Sequence, residues 1–368
     1  MAIMQAALVT REPFVKLLPG LRSERPTSDW FAYVLGVLPG VIFAVLYRIG
    51  LVSERACVLG FSLSFVGLNL AHMAATWSRV YLQKGGAAQA PVERIAIAGL
   101  LVLAALSLEA TGHAAVLLGV QYYLSFHHAL MQNYGLLRQT QRRSGRQLQG
   151  RRAWLDLSAC LLAPFGVLLY RARAVSRSYN GAPLAVPPSW LVAALLAAGA
   201  LSIVLWLARE LRAARRGEPV ELLGIVLILL TNAMWCWLLV AFEHPAVPMY
   251  ALASGHYVQY LYFVWRFEAR PAALTVLPGA LRERVAPPRG IAYLVALGAF
   301  GAAVTIVLTL VAVVVRAAAA GAGMRPATAL DIPPWAAAMI AINLHHYWLD
   351  HRVWRFAPKP APAAQPAG

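Results

Sequence analysis

The strongest constraint on this chain is an alternation. Ten apolar blocks, each near the roughly 20 residues a helix needs to cross a bilayer, are separated by short gaps that hold most of the charge. They run Trp30–Tyr47, Ala56–Trp77, Ile95–Thr111, Ala114–Leu137, Ala153–Tyr170, Ser189–Ala208, Glu221–Phe242, Met249–Arg266, Gly290–Val315 and Pro334–Asp350. Hydrocarbon offers no partner to a backbone N–H or C=O, so such blocks must be helices. The composition agrees: 60% of residues are hydrophobic and 13% charged, against roughly 25% charged in a soluble domain. A soluble globular enzyme and a disordered chain are both excluded. The fold class expected is an all-α, polytopic transmembrane helical bundle of about ten spans. Residues 1–29 read as a cytosolic leader, 30–355 as a single transmembrane domain, and 356–368 as a disordered Pro/Ala-rich tail.

A net charge of +17 would suit a nucleic-acid binder, but the basic residues are not gathered on one face. With the N-terminus cytosolic, the leader, alternate loops and tail on that side carry 25 of the 32 Lys and Arg. That is the positive-inside pattern, and it places both termini in the cytosol. No nucleic-acid partner is expected. The basic loop Arg138–Arg152 reads as a topology signal that also attracts anionic lipid or an acidic carrier. Cys57, Cys160 and Cys236 each fall inside an apolar block and read as free, buried thiols rather than a disulfide framework. Asp156, early in the fifth block, is an intramembrane acid that needs a partner the sequence does not name.

The histidines are the most informative residues. His72 lies near the end of the second block, His127 and His128 in the fourth, His256 in the eighth, and His345, His346 and His351 at the end of the tenth. All four blocks run from outside to inside. The next arginine follows His72 by 7 residues, His128 and His256 by 10, and His346 by 6. At about 1.5 Å per residue, all sit roughly 9–15 Å from the cytosolic flank. Residues three or four apart share a helix face, and each of these helices has a polar one: Asn69, His72 and Thr76; Ser125, His128 and Gln132; His256, Gln259 and Tyr260; Asn343, His346 and Asp350. Segment His128–Arg138 also echoes His256–Arg266 through its His, Tyr and Arg.

Polar faces at one depth avoid lipid by converging inside the bundle. Neutral imidazole is a common ligand for iron, zinc and copper. One histidine in a membrane is commonly a helix-packing residue; seven at one level point instead to a metal site. The expected ligands are His72, His127, His128, His256, His345, His346, His351 and Asp350. Asn69, Gln132, Gln259 and Asn343 would fix the rings, and Tyr260, Thr76 or Gln132 would position a small reactant or protons. Asp350 has a competing role, an interfacial salt bridge to Arg352 or Arg355. His113 and His244, at outer hairpins beside Glu109 and Glu243, read as structural or interfacial, with a small outer site as the alternative.

This pattern resembles, at class level, the histidine-rich integral-membrane non-haem iron oxygenases of the desaturase, alkane hydroxylase and fatty-acid hydroxylase type. The likeness lies in the number of histidines, their cytosolic depth and the run His345-His346-x4-His351. The HxxxH and HxxHH boxes of those enzymes are missing. A membrane carotenoid-cleaving oxygenase family is a further analogue, by histidines on several spans. The resemblance implies two non-haem irons, an apolar substrate from the bilayer and an external electron donor. Haem or zinc are the alternative cofactors. A haem-binding redox protein and a proton-coupled transporter are the alternative functions. Lys-poor, Ala- and Arg-rich usage suggests a high-GC bacterium, and so a multi-pass inner-membrane protein.

Overall fold

The computed structural model describes residues 18–22, 27–81, 91–146, 150–179, 182–244, 246–268, 290–321 and 334–353. Most of the leader, the 356–368 tail and the Arg352, Arg355 and Cys57 side chains lie outside the described residues. The chain is helical, with only four two-residue strands among the described residues. Helices form at all ten expected places. Among the described residues four are long and apolar enough to cross a membrane: Arg151–Ala174 (α7), Ser189–Arg215 (α8), Leu222–Ala241 (α9) and the stretch Val295–Ala318.

The chain divides into two compact units, each made of two segments: Met1–Leu68 with Leu118–Tyr262, and Asn69–Leu117 with Phe263–Gly368. In the first unit the expected Trp30–Tyr47 helix is broken. Thr27–Tyr33 (α1) ends, a single 3-10 turn covers Leu35–Val37, and Leu38–Arg48 (α2) restarts with a proline in its first turn. Pro39 has no N–H and would clash with the preceding turn of a continuous helix, so it opens a new one instead. Leu21–Arg22 (β1), in the expected leader, pairs in parallel with Val220–Glu221 (β4). Ser178–Tyr179 (β2) and Ala182–Pro183 (β3) pair antiparallel. Glu54–Ser64 is α3.

The core of this unit gathers Tyr122, Phe126, Leu130, Leu168, Trp235, Leu238 and Leu239. Helix α7 packs on α8 and α9. It approaches α8 so closely that a Cβ on Gly199 would stand 2.5 Å from the Ala163 nitrogen, the small-residue contact typical of membrane helices. Arg171 is buried and donates to the carbonyls of Leu239 (2.8 Å), Phe242 (2.5 Å) and Glu243 (2.7 Å). Those oxygens are orphans of the C-terminal end of α9, and a cation there also opposes the helix dipole. Cys160 is a buried free thiol and Cys236 a half-buried one.

In the second unit, Leu70–Tyr81 (α4), Pro91–Ala110 (α5), Gly290–Gly321 (α11) and Pro334–Val353 (α12) pack together, α12 against the other three. Helix α11 presses on α4 at Gly301, where a Cβ would meet the Leu70 carbonyl at 2.5 Å. Its other faces expose Ile306, Val307, Leu310, Val311 and Val314, as suits a helix bathed in hydrocarbon. Helix α5 ends at Gly112, whose φ of 77° lets the His113 N–H close back onto the Leu108 carbonyl at 2.7 Å. The remaining long helices are Ala114–Arg143 (α6) and Ala246–Glu268 (α10).

Candidate metal centre

The second unit concentrates the expected ligands. On α12, His346 and Asp350 are four residues apart and share one face. The His346 Nε2 lies 3.7 Å from Asp350 Oδ2, and both side chains are about 1% exposed. On α4, His72 and Thr76 are likewise four apart. The Thr76 hydroxyl donates to Asp350 Oδ1 at 2.8 Å, and the His72 and His346 rings meet edge to face with centroids 4.5 Å apart. One ligand atom from each of His72, His346 and Asp350 falls within 4.8 Å of the others.

These three residues can hold a metal ion. Ligands about 2.1 Å from one ion stand roughly 3–3.5 Å apart at tetrahedral or right angles, so a pair at the 4.8 Å limit would close by roughly 1–2 Å around an ion. The donor chemistry also fits: two imidazoles and a carboxylate, with a hydroxyl that occupies one carboxylate oxygen and so orients the other. A carboxylate buried to this degree is costly unless it is paired or bound to a cation.

A five-residue π-helical segment, Phe65–Asn69, leads directly into α4. The sequence predicts one unbroken helix over Ala56–Trp77; the π segment instead inserts an extra residue in the turn and resets which face His72 and Thr76 occupy. Such π segments are frequent at functional sites. Asn69, its last residue, is buried, as is Asn343 on α12. The next residue along α12 from the cluster's face, His345, is buried and pairs through Nε2 with the Tyr81 hydroxyl at 3.2 Å. Tyr81 lies beyond the expected end of its span and was not among the expected site residues. Its signal is its place one turn after Trp77 on α4. His351 is exposed at the end of α12.

The first unit holds His127, His128, His244 and His256. His128 on α6 and His256 on α10 meet edge to face with ring centroids 5.0 Å apart. Gln132, one turn after His128, donates its amide to the His256 backbone carbonyl (3.0 Å) and to Gln259 Oε1 (3.3 Å). Gln259 in turn donates to the Tyr33 carbonyl at 2.6 Å. Tyr260 is fully buried. His127, beside His128, is exposed, because adjacent residues point about 100° apart on a helix. Ser125, expected on the same face as His128, donates to the Gln121 carbonyl of its own helix at 2.6 Å.

Asp156 acquires its partners here. Arg138 reaches its Oδ2 at 3.2 Å and Gln141 at 3.1 Å, while Trp206 donates to Oδ1 at 3.0 Å and Arg209 pairs with the same oxygen. Arg209 continues to Glu210, which also pairs with Arg146. Asp29, buried, takes Arg143 at 3.3 Å and the Tyr262 hydroxyl at 2.8 Å. The outer histidines have partners of their own. His113 pairs with the Thr111 hydroxyl at 3.1 Å in its own turn. His244 meets Glu54 at 3.1 Å, and Glu109 meets Arg316 at 3.5 Å. Compared with known protein families, with curated proteins and with solved structures, the chain matches none.

Proposed function

We propose that this protein is an integral membrane metal-dependent oxidoreductase, an oxygenase, hydroxylase or desaturase, that acts on a lipid-soluble substrate at a non-haem iron site. One observation carries the reading: His72, His346 and Asp350 meet inside one unit as two histidines and a carboxylate. Imidazole and carboxylate donors of this kind suit a non-haem iron. When bound, the iron would activate oxygen with electrons from an external donor. The chain's own residues hold and orient the ion: Asp350 supplies charge, Thr76 fixes the carboxylate's rotation, and helices α4 and α12 bury the site from water. A second iron per chain is part of the proposal. About ten spans, cytosolic termini and a multi-pass place in a bacterial inner membrane complete the proposal, supported by the distribution of Lys and Arg.

The test is metal analysis and an absorption spectrum on detergent-purified protein, wild type beside His346→Ala and Asp350→Ala. The proposal expects one to two irons per chain, no Soret band, and loss of at least one iron in each variant. A Soret band would replace it with the haem reading. Tightly bound zinc without iron would replace it with metal-assisted hydrolysis. Metal-free wild type, with the variants still folded, would overturn it in favour of proton relay and transport.

A further inference from the structure

The second unit contains a cavity of about 240 Å³ that the metal centre does not use. Its walls are Ala98 and Val102 of α5, Val304 and Leu308 of α11, Ile342 of α12 and Trp77 of α4. Its polar margin is the Tyr81 hydroxyl paired with His345 Nε2. An apolar cavity of about 150 Å³ already admits benzene, so this one has room for a longer run of carbon atoms. Water gains little here, because it needs two to four polar partners.

Two features fix what it would hold. First, the cavity adjoins the candidate metal centre through consecutive residues on two helices. On α4, Thr76 binds Asp350 while Trp77 lines the cavity; on α12, His346 belongs to the metal cluster while His345 lines the cavity. Neighbours on a helix point about 100° apart, so α4 and α12 each present one face to the ion and the next to the cavity. Second, one wall is α11, whose remaining faces expose aliphatic side chains. In a bilayer those faces meet acyl tails, so the phase next to the cavity is hydrocarbon.

We infer that this cavity binds one linear acyl chain drawn from the bilayer, with the Tyr81–His345 pair marking its polar end. The inference rests on the oxidoreductase reading for the meaning of the bound chain, but not for the binding itself. It names the substrate class of the same site: a hydrocarbon chain of a lipid or free fatty acid, admitted past Val304 and Leu308.

The experiment uses purified full-length protein and a fatty acid carrying a diazirine midway along its chain. After photolysis, labelled peptides are mapped by mass spectrometry, with and without excess unlabelled oleate, and iron is measured on the same samples. Labelling of the Ala98–Val102 and Val304–Leu308 stretches should be suppressed by oleate. It should fall about tenfold in Ala98→Phe and in Val102→Phe, two substitutions that fill the cavity from one wall, with iron unchanged. In His346→Ala the iron should fall while the labelling persists. Labelling confined to the outward faces of α11, or indifferent to oleate and to both cavity-filling variants, overturns the inference and leaves the metal reading standing. Cavity labelling in a protein that binds no iron leaves this inference standing and overturns the oxidoreductase reading.

Discussion

Two buried carboxylates, one in each unit, are handled in opposite ways. Asp156 is wrapped by the Arg138 and Arg209 guanidiniums, the Gln141 amide and the Trp206 indole. Asp350 meets a threonine hydroxyl and an imidazole. The first arrangement cancels the charge with permanent cations and fills both oxygens, which is how a structural acid survives burial. The second offers a histidine and a carboxylate side by side, the pairing a metal ion uses. Burial alone therefore does not distinguish a ligand from a structural acid; the chemistry of the partners does. The histidines repeat the lesson. In the first unit the His128 and His256 rings meet each other, beside the Gln132 and Gln259 amides, which bond the His256 and Tyr33 backbone carbonyls. In the second, His72 and His346 converge beside a carboxylate.

The comparison breaks most visibly at Asp156. Asp156→Ala removes the buried carboxylate that Arg138, Arg209, Gln141 and Trp206 share, so it should destabilise the protein by on the order of 3–5 kcal/mol. Thermal unfolding in detergent reads this as a large fall in midpoint, and the iron content of the folded fraction should match wild type. If Asp156→Ala instead lost iron while keeping its stability, the two carboxylates would have exchanged roles and the distinction by partners would fail.

Thr76→Val sharpens the other side. Valine keeps the shape and removes the hydroxyl that holds Asp350 Oδ1 at 2.8 Å. Partners that orient a ligand from behind are typically worth about 10–100-fold in metal affinity, so chelator competition should show iron held at least about tenfold more weakly. Stability should change little, by about 1 kcal/mol for one hydrogen bond. Unchanged affinity would make Thr76 a packing residue and weaken the case that Asp350 is a ligand.

Much of the fold was legible because the bilayer leaves the chain few options. Apolar blocks had to be helices, and the described residues are helical in these blocks, four of the helices being long and apolar enough to cross a membrane. The faces that carry Thr76, Asp350, His346 and Gln132 followed from the helical period alone. What the period could not supply was which face meets which. That depends on close approaches such as Gly301 against the Leu70 carbonyl, set by helices far apart in sequence. It also failed where the backbone leaves the α-helix: at Pro39, which splits the first block, and at Phe65–Asn69, where the π segment shifts the phase before His72. Counting histidines by depth put His127 and His351 with the ligands. Depth is one coordinate, and both point outward in the second. Arg171, just past the end of the fifth apolar block, is buried on the α9 carbonyls, a role that hydropathy does not reveal.

The smallest effect belongs to His244. Its Nε2 meets Glu54 at 3.1 Å, but the two side chains are 30% and 60% exposed. Water and salt screen such a pair, and exposed ion pairs contribute about 0–1 kcal/mol. Buried carboxylates decide stability or metal binding here because nothing screens them; this one lies where solvent does. His244→Ala should therefore shift the unfolding midpoint by less than the scatter between preparations and leave iron unchanged, while the small effect that remains should vanish in high salt. An outer metal site built on His244 predicts the reverse, a loss of bound metal that salt does not mimic, and the same iron measurement separates the two.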